Sequence, residues 1–102
     1  MNVIWTKKSD ICLHQIHDYI VKDSVYYANN FIQQIVKVAT HLEKNPRLGR
    51  PVPEAESENY REILFKGYRI IYYIENETVF ILAVIHGSRD LTREKNQPWN
   101  KE

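Results

Sequence analysis

The stretch Val79 to Asp90, VFILAVIHGSRD, is apolar for seven residues and then changes to a histidine, a glycine, a small hydroxyl and two opposite charges. His86 therefore closes a strand, and Gly87 lets the backbone open into a turn. A strand end holds a side chain rigidly beside a loop, which favours a reactive or recognition group there. The same residues also suit a structural role, in which His86 bonds a backbone carbonyl and Asp90 pairs Arg89 or caps the turn. Arg69, in GYRIIY, raises the same pair of readings. A guanidinium in mid-strand either lies against solvent along an uncovered face or is presented to a ligand.

Other groups of reactive residue types are weaker. Cys12, His14, His17 and Asp18 crowd one helix. His14 and His17 are three apart and Cys12 faces partly inward, so no tetrahedral metal set follows and no metal is expected. The glycines at 49, 67 and 87 are isolated, which excludes a Gly-rich phosphate loop, and no cofactor is implied. The glutamates of residues 54–62 fall in a proline-containing connection and read as solubilising.

These groups depend on a small set of elements. Asn2 to Thr6, NVIWT, reads as a short strand. Leu13, Ile16 and Ile20 recur at helical spacing, giving an amphipathic helix over residues 8–22. Asp23 and Ser24 supply N-cap side chains for a second helix over 24–44, with Ala28, Phe31, Ile35, Ala39 and Leu42 on its apolar face. Asn45, as a left-handed cap, and Pro46 should end it. The segment NPRLGRPVPEAESEN carries three of the four prolines and crosses from helices to sheet. YREILF, YRIIYYIE and TVFILAVIH then form an antiparallel meander with turns at Lys66-Gly67 and Glu75-Asn76-Glu77. Alternation puts Tyr68, Ile70, Tyr72 and Ile74 on one face and Arg69, Ile71, Tyr73 and Glu75 on the other. In the last strand it groups Phe80, Leu82, Val84 and His86 against Val79, Ile81, Ala83 and Ile85. The expected fold is α+β, in the order βααβββ, with a twisted antiparallel sheet, the strand Val79 to His86 central, and a two-helix hairpin on one face. Residues 91–102 form a polar tail whose only large apolar side chains are Leu91 and Trp99.

At 102 residues, the chain is expected to be one domain with an ordinary hydrophobic fraction of 43%. No apolar run approaches bilayer length, and no membrane partner is expected. The N-terminus lacks signal-peptide features and Cys12 is alone, so a cytoplasmic location is expected. The net charge is only +1, spread unevenly: residues 1–53 carry seven Lys/Arg against four Asp/Glu, and residues 54–102 carry seven against nine. Such a balance excludes a general phosphate-backbone binder, so any nucleic-acid contact would be local.

Taken together, PRLGRPVPE at Pro46 to Glu54, YRIIY at Tyr68 to Tyr72 and the closing VIHGSRD resemble the RelE/ParE superfamily, the toxins of bacterial type II toxin–antitoxin pairs. The likeness runs from Trp5 to Asp90. For the RelE-like branch, the resemblance implies ribosome-dependent mRNA cleavage in which a ribose 2′-OH attacks its own phosphate. Arg69 and Arg89 match two active-site arginines of that branch and Arg61 matches a lysine, while His86 would be the proton-transfer group. Two departures count against it: Ile63 replaces a second lysine, and no tyrosine follows Arg89. The ParE-like branch, which poisons DNA gyrase and has no nuclease site, is matched better through HGSRD and PRLGRPVPE. That branch implies a non-enzymatic toxin of a plasmid-stabilisation type module. The alternatives are the nuclease, with ribosome and mRNA as partners, and a degenerate toxin that only binds its antitoxin. In each case the resemblance implies a hetero-oligomer with a cognate antitoxin, whose disordered tail would use Tyr19, Tyr26, Tyr27, Tyr72 and Tyr73 as anchors in a groove between hairpin and sheet.

Overall fold

The computed structural model describes residues 1–99. Strand β1 (Asn2–Trp5) leads into helix α1 (Lys7–Ile20), helix α2 (Val25–Thr40), a two-residue strand β2 (Arg50–Pro51) and the strands β3 (Tyr60–Phe65), β4 (Tyr68–Glu75) and β5 (Thr78–His86). The α+β class and the helical hairpin are as expected. The sheet order is β1-β5-β4-β3-β2, so β5 has neighbours on both edges. The expected all-antiparallel sheet is corrected in one respect: β1 runs parallel to β5, with Val3 opposite Val79 and Trp5 opposite Ile81. After the helical hairpin the chain re-enters the sheet at β2 running opposite to β1, and the alternation through β3 and β4 leaves β5 running the same way as β1, which makes the sheet mixed.

Local chemistry sets the element ends. Thr6 caps α1 by accepting from Ser9 N at 3.2 Å and donates its hydroxyl to the Ile81 carbonyl at 2.7 Å, tying the helix start to β5. Ser24 caps α2 by accepting from Tyr27 N at 3.1 Å. Each such cap stabilises by about 1 kcal/mol. The second helix does not end in a left-handed Asn45. It tightens into a 3-10 turn over His41–Glu43, and among the described residues the positive-φ positions other than glycine are Lys66 and Asn76. Lys66 and Gly67, at φ 47° and 87°, make the two-residue β3–β4 hairpin, whose twist matches the flanking strands.

Both faces of the sheet are covered. On the hairpin face, Leu13, Ile16, Phe31, Ile35, Ala39 and Leu42 pack with Ile70, Tyr72, Val79, Ile81 and Val84. The five helical positions read from period, Leu13, Ile16, Phe31, Ile35 and Leu42, are all buried. On the opposite face, Val52, Ile71, Ala83, Ile85 and Leu91 form a smaller cluster with Tyr60 and Trp99 at its margin. The expected tail folds back over this face as far as Trp99, whose ring lies 5.7 Å from that of Tyr60. The remaining tail residues, 100–102, lie outside the described residues.

Simple alternation fails in β5. Ile71 lies opposite Ala83 and Tyr72 opposite Ile81, leaving Leu82 as an extra residue in a β-bulge. A bulge shifts every following side chain to the other face. Val84 therefore joins Val79 and Ile81 under the hairpin, whereas Ala83 and Ile85 join Ile71.

Candidate functional site

Because β3 and β4 pair residue for residue, Arg61 shares a face with Tyr72, and Glu62 with Ile71. The second of these places Glu62 one step diagonally from Arg69. Glu62 is 1% exposed and Arg69 8%. Arg69 Nε donates to Glu62 Oε1 at 2.6 Å, and its two terminal nitrogens donate to both oxygens of Glu54, at 3.1 and 2.7 Å. Arg50 Nε, carried on β2 opposite Glu62, donates to the other Glu62 oxygen at 2.7 Å. All three arms of the Arg69 guanidinium are thus engaged by carboxylates. The Arg69 hydrogen bonds hold the Glu54 carboxyl below its ordinary value, against a smaller opposing effect of burial. Reciprocally, hydrogen bonding to Glu54, then to Glu62, raises the pKa of the guanidinium. The reading of residues 54–62 as solubilising is therefore corrected for Glu54 and Glu62, which are partners of a buried cation. The missed signal was the hairpin register: fixing the turn at Lys66-Gly67 puts Glu62 beside Arg69.

The other residues considered for catalysis lie elsewhere. Arg61 donates to the Gly49 carbonyl at 2.7 Å on the face shared with Tyr72, and its Nε is buried without a hydrogen-bond partner among the described residues. His86 lies opposite Tyr68, ring to ring at 5.4 Å, and its Nδ1 accepts from the Ser88 backbone at 3.1 Å and contacts the Ser88 hydroxyl at 2.7 Å. Arg89 is exposed beside α1. Asp90 pairs with neither His86 nor Arg89. It accepts from the backbone and hydroxyl of Thr92, which lower its pKa, and lies 3.8 Å from Arg93. Register puts Arg61 and His86 on the hairpin side of the sheet and Arg69 on the other. The four groups therefore do not converge on one phosphate-sized position.

The five tyrosines also separate. Tyr19, Tyr26 and Tyr27 are 69%, 81% and 49% exposed around the turn between the helices, together with Val25. Tyr72 is fully buried, which corrects its assignment as an accessible anchor. Its hydroxyl donates to the Pro46 carbonyl at 2.7 Å and accepts from Gly49 N at 2.9 Å, and burial pushes its pKa up. Tyr73 lies on the face away from the hairpin, stacked 4.5 Å from Tyr60. No groove brings all five together. Among the described residues, no group of His, Cys, Asp and Glu could hold a metal, and no helix is long and apolar enough to cross a membrane.

A helical hairpin laid on a five-stranded mixed sheet, with a proline-containing crossover pinned by a buried tyrosine, defines a small α+β fold. Residues 3–91 match the family model described as the ParE toxin of the type II toxin–antitoxin system parDE, and the chain belongs to that family. Among solved structures, it is similar to a chain of the chromosomal ParDE toxin–antitoxin system of P. aeruginosa, at 22% identity and a TM-score of 0.71, covering 84% of this chain and 95% of that one. It is also similar to a chain of the RelBE2 toxin–antitoxin complex of Mycobacterium tuberculosis, at 26% identity and a TM-score of 0.62, covering 83% and 95%. No curated protein sequence matches significantly.

Proposed function

We propose that this ParE-type toxin acts by inhibiting DNA gyrase, without catalysing a reaction of its own, and is neutralised by a cognate antitoxin in the cytoplasm. The observation that carries the non-enzymatic reading is the state of Arg69. Cleavage by an internal 2′-OH needs positive charge free to meet a developing phosphorane and a base within reach of the hydroxyl. Arg69 already has Glu54 on its terminal nitrogens and Glu62 on Nε, so a phosphate would have to displace two carboxylates from a nearly buried group. His86 and Arg61 lie toward the opposite face from it. Family membership supports the toxin class, and the branch resemblance supports gyrase as its target.

For the antitoxin, the supporting feature is the exposed tyrosine cluster at the hairpin turn, Tyr19, Tyr26 and Tyr27. Large aromatic side chains lose little rotamer entropy when a disordered tail orders against them. The test adds purified chain to a gyrase supercoiling reaction, with and without the product of the neighbouring small reading frame. Supercoiling should fall with the chain alone and return when the partner is present. Supercoiling unaffected at saturating chain would reject gyrase as the target, and failure of the partner to bind would reject the antitoxin assignment.

A further inference from the structure

Between the crossover and the β3–β4 turn opens a cavity of about 440 Å³. Arg50, Lys66 and Arg69 bring three cations to its lining, against a single carboxylate, Glu54. That carboxylate sits across the terminal edge of Arg69, with one oxygen on each terminal nitrogen at 3.1 and 2.7 Å. Two parallel N–H···O bonds from one planar fork are the geometry in which a guanidinium takes either a carboxylate or a phosphate.

The two acidic partners of Arg69 are not equivalent. Glu62 is fully buried and fixed by register on β3, so the Nε side of Arg69 is structural. Glu54 follows Pro53 outside any strand or helix, and its side chain is 24% exposed. It is the arm that a solute can reach and displace. Arg50 spends only its Nε, on Glu62, and its terminal nitrogens make no hydrogen bond among the described residues. The Arg50 charge nonetheless reaches the Glu54 carboxylate. Lys66 donates to Gln34 at 2.9 Å and adds positive potential from the margin of the cavity.

We propose that the terminal edge of Arg69, together with Arg50, is a seat for a phosphate group, and that Glu54 plugs this seat in the resting chain. An incoming carboxylate could only match Glu54, which has the advantage of being tethered. A phosphate brings a third oxygen for the terminal nitrogens of Arg50 and more negative charge against the excess of cations. The apolar side chains of Pro53, Leu64 and Phe65 in the same lining suit the organic part of a phosphate ester. Binding here implies no cleavage, because His86 and Arg61 lie toward the opposite face of the sheet. The inference does not depend on gyrase being the toxin's target.

The test is isothermal titration calorimetry of the full chain at low ionic strength, with inorganic phosphate, phenyl phosphate and acetate as probes. A plug that leaves about a tenth of the molecules open lowers apparent affinity about tenfold, so Glu54→Ala should bind phosphate about tenfold more tightly than the wild type. Acetate should gain less, having no third oxygen for Arg50. Adding Arg50→Gln to Glu54→Ala should give up most of the gain. That side chain is 57% exposed, so the double variant stays folded and keeps the test readable where loss of Arg69 would disturb the buried pair. Tighter binding of phenyl phosphate than of inorganic phosphate would assign an ester to the seat, and the reverse order the free ion. No gain in Glu54→Ala, an equal gain for acetate, or a gain undiminished by Arg50→Gln would each overturn the proposal.

Discussion

Replacing Glu62 by Leu removes a carboxylate that accepts from two arginines while leaving a side chain of similar bulk. The Arg50 arm contributes little, because the Arg50 side chain is 57% exposed and regains water, so about 0–1 kcal/mol is assigned to it. The Arg69 arm is different. Its side chain is 9% exposed, and the Glu62 side chain is fully buried. Breaking a buried pair by removing one partner typically costs about 3–5 kcal/mol, since the remaining charge stays desolvated. Arg69 keeps both oxygens of Glu54, so the lower figure applies and about 3 kcal/mol is expected. For a domain of this size, 1 kcal/mol corresponds to roughly 4–8 °C in melting temperature, giving a fall of about 12–24 °C. The double variant Glu62→Leu/Arg69→Met replaces the pair by apolar groups and should recover to within about 1 kcal/mol of the wild type. Urea unfolding of the wild type, both single variants and the double variant closes the cycle. A Glu62→Leu cost below about 1 kcal/mol, or a double variant as unstable as the sum of the singles, would refute the claim that Arg69 is a buried structural cation.

Further outcomes follow from the same network and its surroundings. A Cβ on Gly49 would meet the Glu62 carbonyl oxygen at 2.5 Å and the Tyr72 hydroxyl at 2.8 Å, so Gly49→Ala should destabilise by about 1–3 kcal/mol in urea unfolding. Tyr72→Phe strands the buried Gly49 N–H and Pro46 carbonyl and should cost about 1–3 kcal/mol by the same measurement. Because Arg69 lowers the folded pKa of Glu54, that stabilisation is present above the ordinary glutamate value of 4.5 and is lost as pH falls through the lower folded value. Urea midpoints measured from neutral to acidic pH should therefore decline less steeply in Glu54→Gln, and an unchanged slope would show that the Arg69–Glu54 contact does not persist in solution.

The parts of the fold legible in the sequence were those governed by a long repeating period. Leu13, Ile16, Phe31, Ile35 and Leu42 could be assigned to the core because two helices supply enough turns for 3.6-residue spacing to stand out. The strand boundaries and the Lys66-Gly67 turn were legible from residue type. The β5 bulge was not, since Leu82 fits either face and a single extra residue leaves no compositional mark. Nor was the direction of β1, because four residues do not encode whether their neighbour is parallel. Arg69 was recognised as a notable mid-strand cation, but its partners were not. Glu54 sits in an irregular crossover, and Glu62 is identified only once the β3–β4 register is drawn. The tyrosines misled for a related reason: type alone does not separate Tyr26, which is exposed, from Tyr72, which pins the crossover from inside.

The central claim, that this ParE-family chain is a toxin without a nuclease site, is tested most directly by incubating it with translating ribosomes and mapping mRNA ends beside a matched gyrase supercoiling reaction. The account predicts intact mRNA and reduced supercoiling, with the Glu62→Leu/Arg69→Met variant inhibiting supercoiling as the wild type does. Cleavage of ribosome-bound mRNA that disappears in His86→Ala or Arg69→Met, each shown to be folded, would contradict it.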